Sequence, residues 1–140
     1  MGVIQEGLHT IHSKGLKSLV LKIDLSKAYD RVNWTYLLVI MSKMGFSVPF
    51  ITWVMSSITS VSFAVLINGV ASPFFRSGRG LRQGCPLAPL LFLIVVEGLS
   101  RTILSAKVSG AYQGISFGNN IILSHVLFVD EIIMVSDGSD

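Results

Sequence analysis

Hydrophobic and polar positions change their spacing several times along the chain, and each change predicts an element. Leu19 to Leu25 is a mostly apolar run of strand length. After it, Asp30 can cap a helix in which Trp34, Leu37, Leu38 and Met41 recur at helical spacing. Gly45 ends that helix, and Pro49 can open a second, short one that includes Phe50 to Ile58. The period then falls to two, with Val61, Phe63, Val65 and Ile67 alternating with Ser62, Ala64 and Leu66. Asn68-Gly69 follows, the strongest short hairpin signal, and Ala71 to Phe75 supplies a return strand. The glycine-rich loop Ser77 to Gly84 leads to Pro86, placed to start a helix through Leu99 to about Lys107. Two more strands close the chain. One lies around Gln113 to Phe117 with a turn at Gly118-Asn119-Asn120, and one runs from Ile122 to Val135, interrupted by Asp130-Glu131. With no internal repeat or linker, the pattern is α+β with a mostly antiparallel sheet.

Composition narrows the class. A chain of 140 residues that is 51% hydrophobic and 14% charged fits one domain with one core, and excludes a disordered tail or a coiled coil. Such apolar content also raises a membrane protein as an alternative, because Met44 to Phe75 carries no charge at all. Gly45, Pro49, Asn68, Gly69 and Pro73 punctuate that stretch and its period switches, so it cannot form one spanning helix. The run Leu87 to Val96 is closed by Glu97 and suits a core helix, so no membrane association is expected. Met1 to Thr10 carries Glu6 and lacks an apolar signal-peptide core, which points to an intracellular protein. A lone Cys85 excludes an internal disulfide, and His9, His12 and His125 lack the spacing of a zinc site. The formal net charge of +3 is too small to announce a polyanionic partner by itself.

Three segments carry candidate chemistry. Asp130 and Glu131 interrupt the apolar runs Val126 to Val129 and Ile132 to Val135, and unpaired carboxylates buried there would be costly. A hairpin turn would place both at a tip, where they can offer hard oxygen ligands to Mg²⁺; taken alone, an ordinary solvated turn is the plainer reading. Asp24 ends the first strand and would join the pair if the strands were neighbours, although a capping role is the plainer reading. In Arg76 to Pro86, Arg76, Arg79 and Arg82 recur every third residue among glycines, ahead of a helix N-terminus, a pattern suited to phosphate. Gln83 can orient a base or sugar, and a solvated basic loop is the alternative. Lys14, Lys17, Lys22, Lys27 and Arg31 form a looser basic zone.

Taken together, Lys22-Ile-Asp-Leu-Ser-Lys-Ala-Tyr-Asp-Arg-Val-Asn-Trp34, Gly80-Leu-Arg-Gln-Gly-Cys-Pro-Leu-Ala-Pro89 and Ser124-His-Val-Leu-Phe-Val-Asp-Glu131 resemble successive signature blocks of reverse transcriptases. The likeness is to those of plant non-LTR, LINE-type retrotransposons, and it runs from about residue 12 to the end, with blocks near residues 20–34, 76–89 and 124–135. The resemblance implies a partial reverse transcriptase domain over residues 1–140: a palm-like small antiparallel sheet backed by helices. Upstream fingers, thumb and endonuclease would be absent. It implies that Asp24 and Asp130 are catalytic metal-binding aspartates, that the Leu25 carbonyl is a further ligand, and that Glu131, in the place of the family's second paired aspartate, is likewise catalytic and metal-binding. Tyr29 falls where the family packs a side chain beneath the incoming sugar, and Arg79, Arg82, Gln83 and Gly84 fall in the block that meets nucleotide and template. The implied cofactor is a pair of Mg²⁺ ions, and the implied partners are RNA template, DNA primer and dNTP, with a nuclear or cytoplasmic location. The implied reaction is attack of a primer 3′-hydroxyl on an α-phosphate.

Two positions depart from the family pattern. Glu131 adds a methylene where sites of this kind hold geometry to about 0.5 Å, which implies weakened polymerisation. Cys85 stands where the family carries an aspartate that would cap the following helix, a loss of about 1 kcal/mol. As a fragment without a thumb to clamp the primer–template duplex, the chain is expected to be inactive alone, with a non-catalytic nucleic-acid-binding remnant and a small membrane protein as the alternatives.

Overall fold

A computed structural model describes Ser13, residues 18–117 and residues 121–137. Within it the chain forms two compact units, one of Lys27–Gly98 and one that joins the chain up to Ser26 with the chain from Leu99 onward. His9, His12, Lys14, Lys17 and the turn expected at 118–120 lie outside the described residues.

The unit Lys27–Gly98 is built on helices. A 3-10 turn at Tyr29–Arg31 precedes α1 (Trp34–Lys43), α2 (Val48–Thr59) and α3 (Ala88–Val108), the last running past the end of this unit. The N-cap of α1 corrects the sequence expectation. Asn33, not Asp30, supplies it, its side chain accepting the Tyr36 N–H at 3.0 Å, while Asp30 lies in the 3-10 turn. Gly45, at φ +84°, ends α1 as expected. Pro49 sits in the first turn of α2, where its missing N–H costs nothing. The start of α3 also differs: it begins at Ala88, so Pro89 rather than Pro86 lies in its first turn. Cys85 stands outside the helix, its carbonyl accepting the Ala88 N–H at 3.0 Å, and is not its cap.

Spacing explains the core. Leu37 and Met41, Ile51 and Val54, and Ala88, Leu91 and Phe92 lie three or four apart on their helices and are buried together with Val32 and Leu81. Leu38, expected on the same face as Leu37, is instead exposed. Between α2 and α3 the hairpin turns at Asn68-Gly69, both at positive φ, as the dipeptide predicts. Its strands are shorter than their alternation suggested. β2 (Ser62–Phe63) pairs with β5 (Phe75–Arg76), and β3 (Leu66–Ile67) with β4 (Val70–Ala71), in registers offset by one residue. The extra residue falls at Ser72-Pro73-Phe74, where proline has no N–H for a ladder and the Ser72 hydroxyl accepts the Val65 N–H at 3.0 Å.

The other unit carries the main sheet, of order β1-β9-β8, all antiparallel: β1 (Leu19–Asp24), β8 (His125–Phe128) and β9 (Glu131–Ser136). A separate ribbon pairs β6 (Ile115–Phe117) with β7 (Ile121–Leu123). Ile115 and Val135 are buried against Leu123 and Ile133. The Tyr112 hydroxyl lies 2.5 Å from the Ser124 carbonyl and 2.7 Å from that of Val135, and accepts the Val135 N–H at 3.0 Å.

Among the described residues α3 alone is long and apolar enough to cross a membrane, by length and composition only. Its Ala88, Leu91 and Phe92 are core residues. The uncharged stretch Met44 to Phe75 divides into α2 and the hairpin, as its change of period required.

Candidate active site

Two sets of candidate residues are assembled, one in each unit. In the sheet unit, β9 lies between β1 and β8, which brings the end of β1 beside the β8–β9 turn. Asp24 is opposite Glu131 in the ladder, and one step further the Leu25 N–H donates to the Asp130 carbonyl at 2.9 Å. Asp24, Leu25 and Asp130 thus meet at one end of the sheet. The turn itself is Val129-Asp130, because Phe128 pairs with Glu131. Glu131 is therefore not at the tip, as the sequence suggested, but is the first residue of β9. Val129 adopts φ +53°, an outlier for a β-branched residue and a conformation that concentrates at functional turns.

Electrostatics separate the two paired acids. Lys22 Nζ lies 2.8 Å from Glu131 Oε1, an ion pair between half-exposed side chains. The Lys22 ammonium is held above its ordinary pKa, first by its hydrogen bond to Glu131 and the charge of that carboxylate, with a smaller contribution from Asp24. Asp24 and Asp130 are exposed. No group of three His, Cys, Asp or Glu side chains among the described residues converges to hold a metal ion. The donor chemistry of Asp24 and Asp130 is the hard oxygen that Mg²⁺ requires, so these two fit that ion, whereas Glu131 is engaged elsewhere.

In the helical unit the loop before α3 is pinned to α1 and the turn before it. The Gly80 N–H donates to the Val32 carbonyl and the Leu81 N–H to that of Tyr29, both at 2.8 Å, and Trp34 Nε1 donates to the Gly80 carbonyl at 2.7 Å. Gly80 has φ +95°, and a Cβ there would lie 2.7 Å from the Asp30 carbonyl oxygen, so only glycine fits. Gln83 donates from Nε2 to Asp30 Oδ1 at 3.2 Å, which ties the loop to the residue first read as a helix cap. Gly84 adopts φ +82°. Arg76, Arg79 and Arg82 are exposed, and none has an acidic partner in an ion pair among the described residues. A cavity of 670 Å³ opens here, lined by Trp34, Phe63, Leu91, Arg79, Arg82 and Gln83 among others. Tyr29 stacks on Phe92 with ring centroids 4.6 Å apart and is partly buried against the core.

Sequence reasoning passed over Lys22, counting it only in a loose basic zone. Its signal was available: two residues before Asp24 on a strand, it must share that residue's face. It also passed over Asn33, whose place directly before Trp34 is that of an N-cap, and the hydroxyl pair around His125 described below.

Comparison with known proteins places the chain in a family. Residues 2–140 match the family model described as reverse transcriptase (RNA-dependent DNA polymerase). The chain belongs to the reverse transcriptase family. Its relatives are transposon and retrotransposon proteins, in keeping with the non-LTR resemblance of its signature blocks. It is 33% identical over 95 residues to the transposon TX1 uncharacterized 149 kDa protein of Xenopus laevis, covering 68% of this chain and 7% of that protein. It is 40% identical over 67 residues to an uncharacterized mitochondrial protein of Arabidopsis thaliana, covering 47% of this chain and 55% of that one. Against the retrovirus-related Pol polyprotein from the type-1 retrotransposable element R2 of Popillia japonica the identity is 26%, over 89% of this chain and 20% of that protein. Among solved structures, apo telomerase from Candida tropicalis, truncated from its C-terminal domain, matches with a TM-score of 0.64 at 16% identity, over 88% of this chain and 25% of that one. That likeness establishes a partial reverse transcriptase fold. The chain thus spans between 7% and 55% of the length of these curated relatives. Family members generally use divalent metal ions and bind nucleic acid.

Proposed function

We propose that this chain is a core segment of a non-LTR retrotransposon RNA-directed DNA polymerase, in which Asp24 and Asp130 serve the chemistry and the Arg79–Gly84 loop holds nucleic acid. The observation that carries the reading is the strand order β1-β9-β8, which joins two acids from opposite ends of the described chain at one end of the sheet. A divalent ion bound between Asp24 and Asp130 would supply positive charge to a primer 3′-hydroxyl and to the phosphate it attacks. The chain's own residues do the rest. Backbone pairing of Leu25 with Asp130 fixes the two carboxylate-bearing segments relative to each other. Arg79 and Arg82, without an acidic ion-pair partner among the described residues, make charge-assisted contacts to phosphate, with RNA template, DNA primer and dNTP as the ligands. Gln83, positioned by Asp30, meets the base or sugar. Tyr29, held by its stacking on Phe92, is the residue assigned to pack beneath the sugar.

Binding of primed RNA template, followed by fluorescence anisotropy across a salt series, tests this. Affinity is expected to fall steeply with salt, and R79A/R82A to make the log–log slope shallower by about 0.7–0.9 per arginine. D24N is expected to leave binding intact. Salt-insensitive binding, or binding indifferent to the two arginines, would overturn the reading.

A further inference from the structure

We propose that Lys22 holds Glu131 in a cross-strand ion pair that withdraws this third carboxylate from the divalent-cation site, leaving Asp24 and Asp130 as the cation's acidic ligands. The proposal rests on the functional reading above and adds to it a residue that sets cation affinity.

The argument starts from register. Asp24 is opposite Glu131, and Lys22 is opposite Ile133, so Lys22, Asp24 and Glu131 share one face of the sheet, with Lys22 and Glu131 on a diagonal. Backbones on such a diagonal are about 7–8 Å apart, beyond the reach of short side chains. The lysine stem and the glutamate's second methylene together close that gap to 2.8 Å between Nζ and Oε1. An aspartate at position 131 would fall short by about one C–C bond, roughly 1.5 Å, and would leave the ammonium out of hydrogen-bonding range. The methylene that moves the carboxylate off the place of the family's aspartate is therefore the same one that delivers it to Lys22.

Both side chains are substantially exposed, 60% for Lys22 and 36% for Glu131, so the pair adds little to folding. Its effect is local. A divalent ion can recruit Glu131 only by displacing an ammonium already in contact with it, and Lys22 places a positive charge beside the site in any case.

Mn²⁺ binding to the full chain, read by electron paramagnetic resonance of the free ion, separates these effects. E131Q is expected to lower Mn²⁺ affinity only slightly, through the Lys22 charge it leaves uncompensated, whereas D24N and D130N abolish it. K22Q is expected to raise affinity about two- to fivefold, the range of an exposed ion pair. In the E131Q background K22Q should give a clearly smaller gain, since no carboxylate is then released. E131D should raise affinity and lose most of its sensitivity to K22Q. If E131Q weakens binding as much as D24N, Glu131 is a ligand and this proposal is overturned while the functional reading stands. An equal effect of K22Q in both backgrounds reduces Lys22 to a distant charge, and also overturns it. If no variant distinguishes Asp24 or Asp130 from the unsubstituted chain, the cation site itself is wrong, and both readings fall. Far-ultraviolet circular dichroism of each variant, unchanged at these exposed positions, confirms that affinity and not folding is being read.

Discussion

Gly80 holds more of the site together than any charged residue does. Its N–H and carbonyl are both used, by Val32 and Trp34, and its missing Cβ leaves room for the Asp30 carbonyl. Because Asp30 in turn orients Gln83, a methyl group at position 80 should disturb the nucleic-acid loop as well as the fold. G80A is expected to cost about 2–4 kcal/mol, combining a backbone clash with a left-handed conformation unsuited to alanine, measurable by urea denaturation. Tyr112 makes the opposite kind of contribution, a side chain satisfying backbone. Y112F would remove the donor to the Val135 carbonyl, while the Ser124 carbonyl keeps the Val135 N–H at 2.9 Å, and is expected to cost about 1 kcal/mol by the same measurement. At this scale the sequence showed residue types but not partners. The Asp24 and Asp130 candidates were legible because acids inside apolar runs are conspicuous, whereas Lys22 was not, since its partner is supplied by a strand far along the chain.

Elements were read most reliably where a local period or a turn dipeptide determined them. The Leu37–Met41 face of α1, the proline entry to α2 and the Asn68-Gly69 hairpin all follow from neighbours within a few residues. Errors arose where two local solutions competed: Asp30 and Asn33 are both good caps, and only the 3-10 turn Tyr29–Arg31, which takes up Asp30, decides for Asn33. Pro86 and Pro89 posed the same choice at α3. One contact between elements gives a pH dependence. His125 on β8 has both ring nitrogens engaged, Nε2 with the Ser100 hydroxyl of α3 at 2.8 Å and Nδ1 with that of Ser124 at 3.0 Å. Burial, with the Lys107 charge second, lowers its pKa, so the folded protein binds fewer protons here than the unfolded chain. The corresponding stability is present above the unfolded value near 6.5 and is lost as pH falls below it. The thermal midpoint should therefore drop between pH 7 and pH 5, and the drop should be smaller in H125Q, as followed by circular dichroism.

For the whole molecule, the functional residues divide between a sheet unit with the carboxylates and a helical unit with the arginine loop. No local sequence signal announces that division, since it depends on β1 leaving its neighbours in sequence to pair with β9. Primer extension on an RNA template with Mg²⁺ and dNTPs is expected to give no product above that of D24N, given the diverted Glu131. Robust synthesis by the unsubstituted chain would contradict this. Half-hydrophobic composition also has a physical counterpart: Trp53 and Phe74 are 73% and 79% exposed, on a helix and a hairpin otherwise rich in exposed apolar groups. W53S/F74S should accordingly lower the concentration-dependent light scattering of the chain. What form that self-association takes is governed by the offset at Ser72-Pro73-Phe74. Each ladder of the hairpin is only two residues long, so its edges offer no uninterrupted row of N–H and C=O groups on which another chain could add. Clusters formed through these side chains should be dispersible by mild detergent, and strand addition at this hairpin would require removing the interruption rather than adding hydrophobicity.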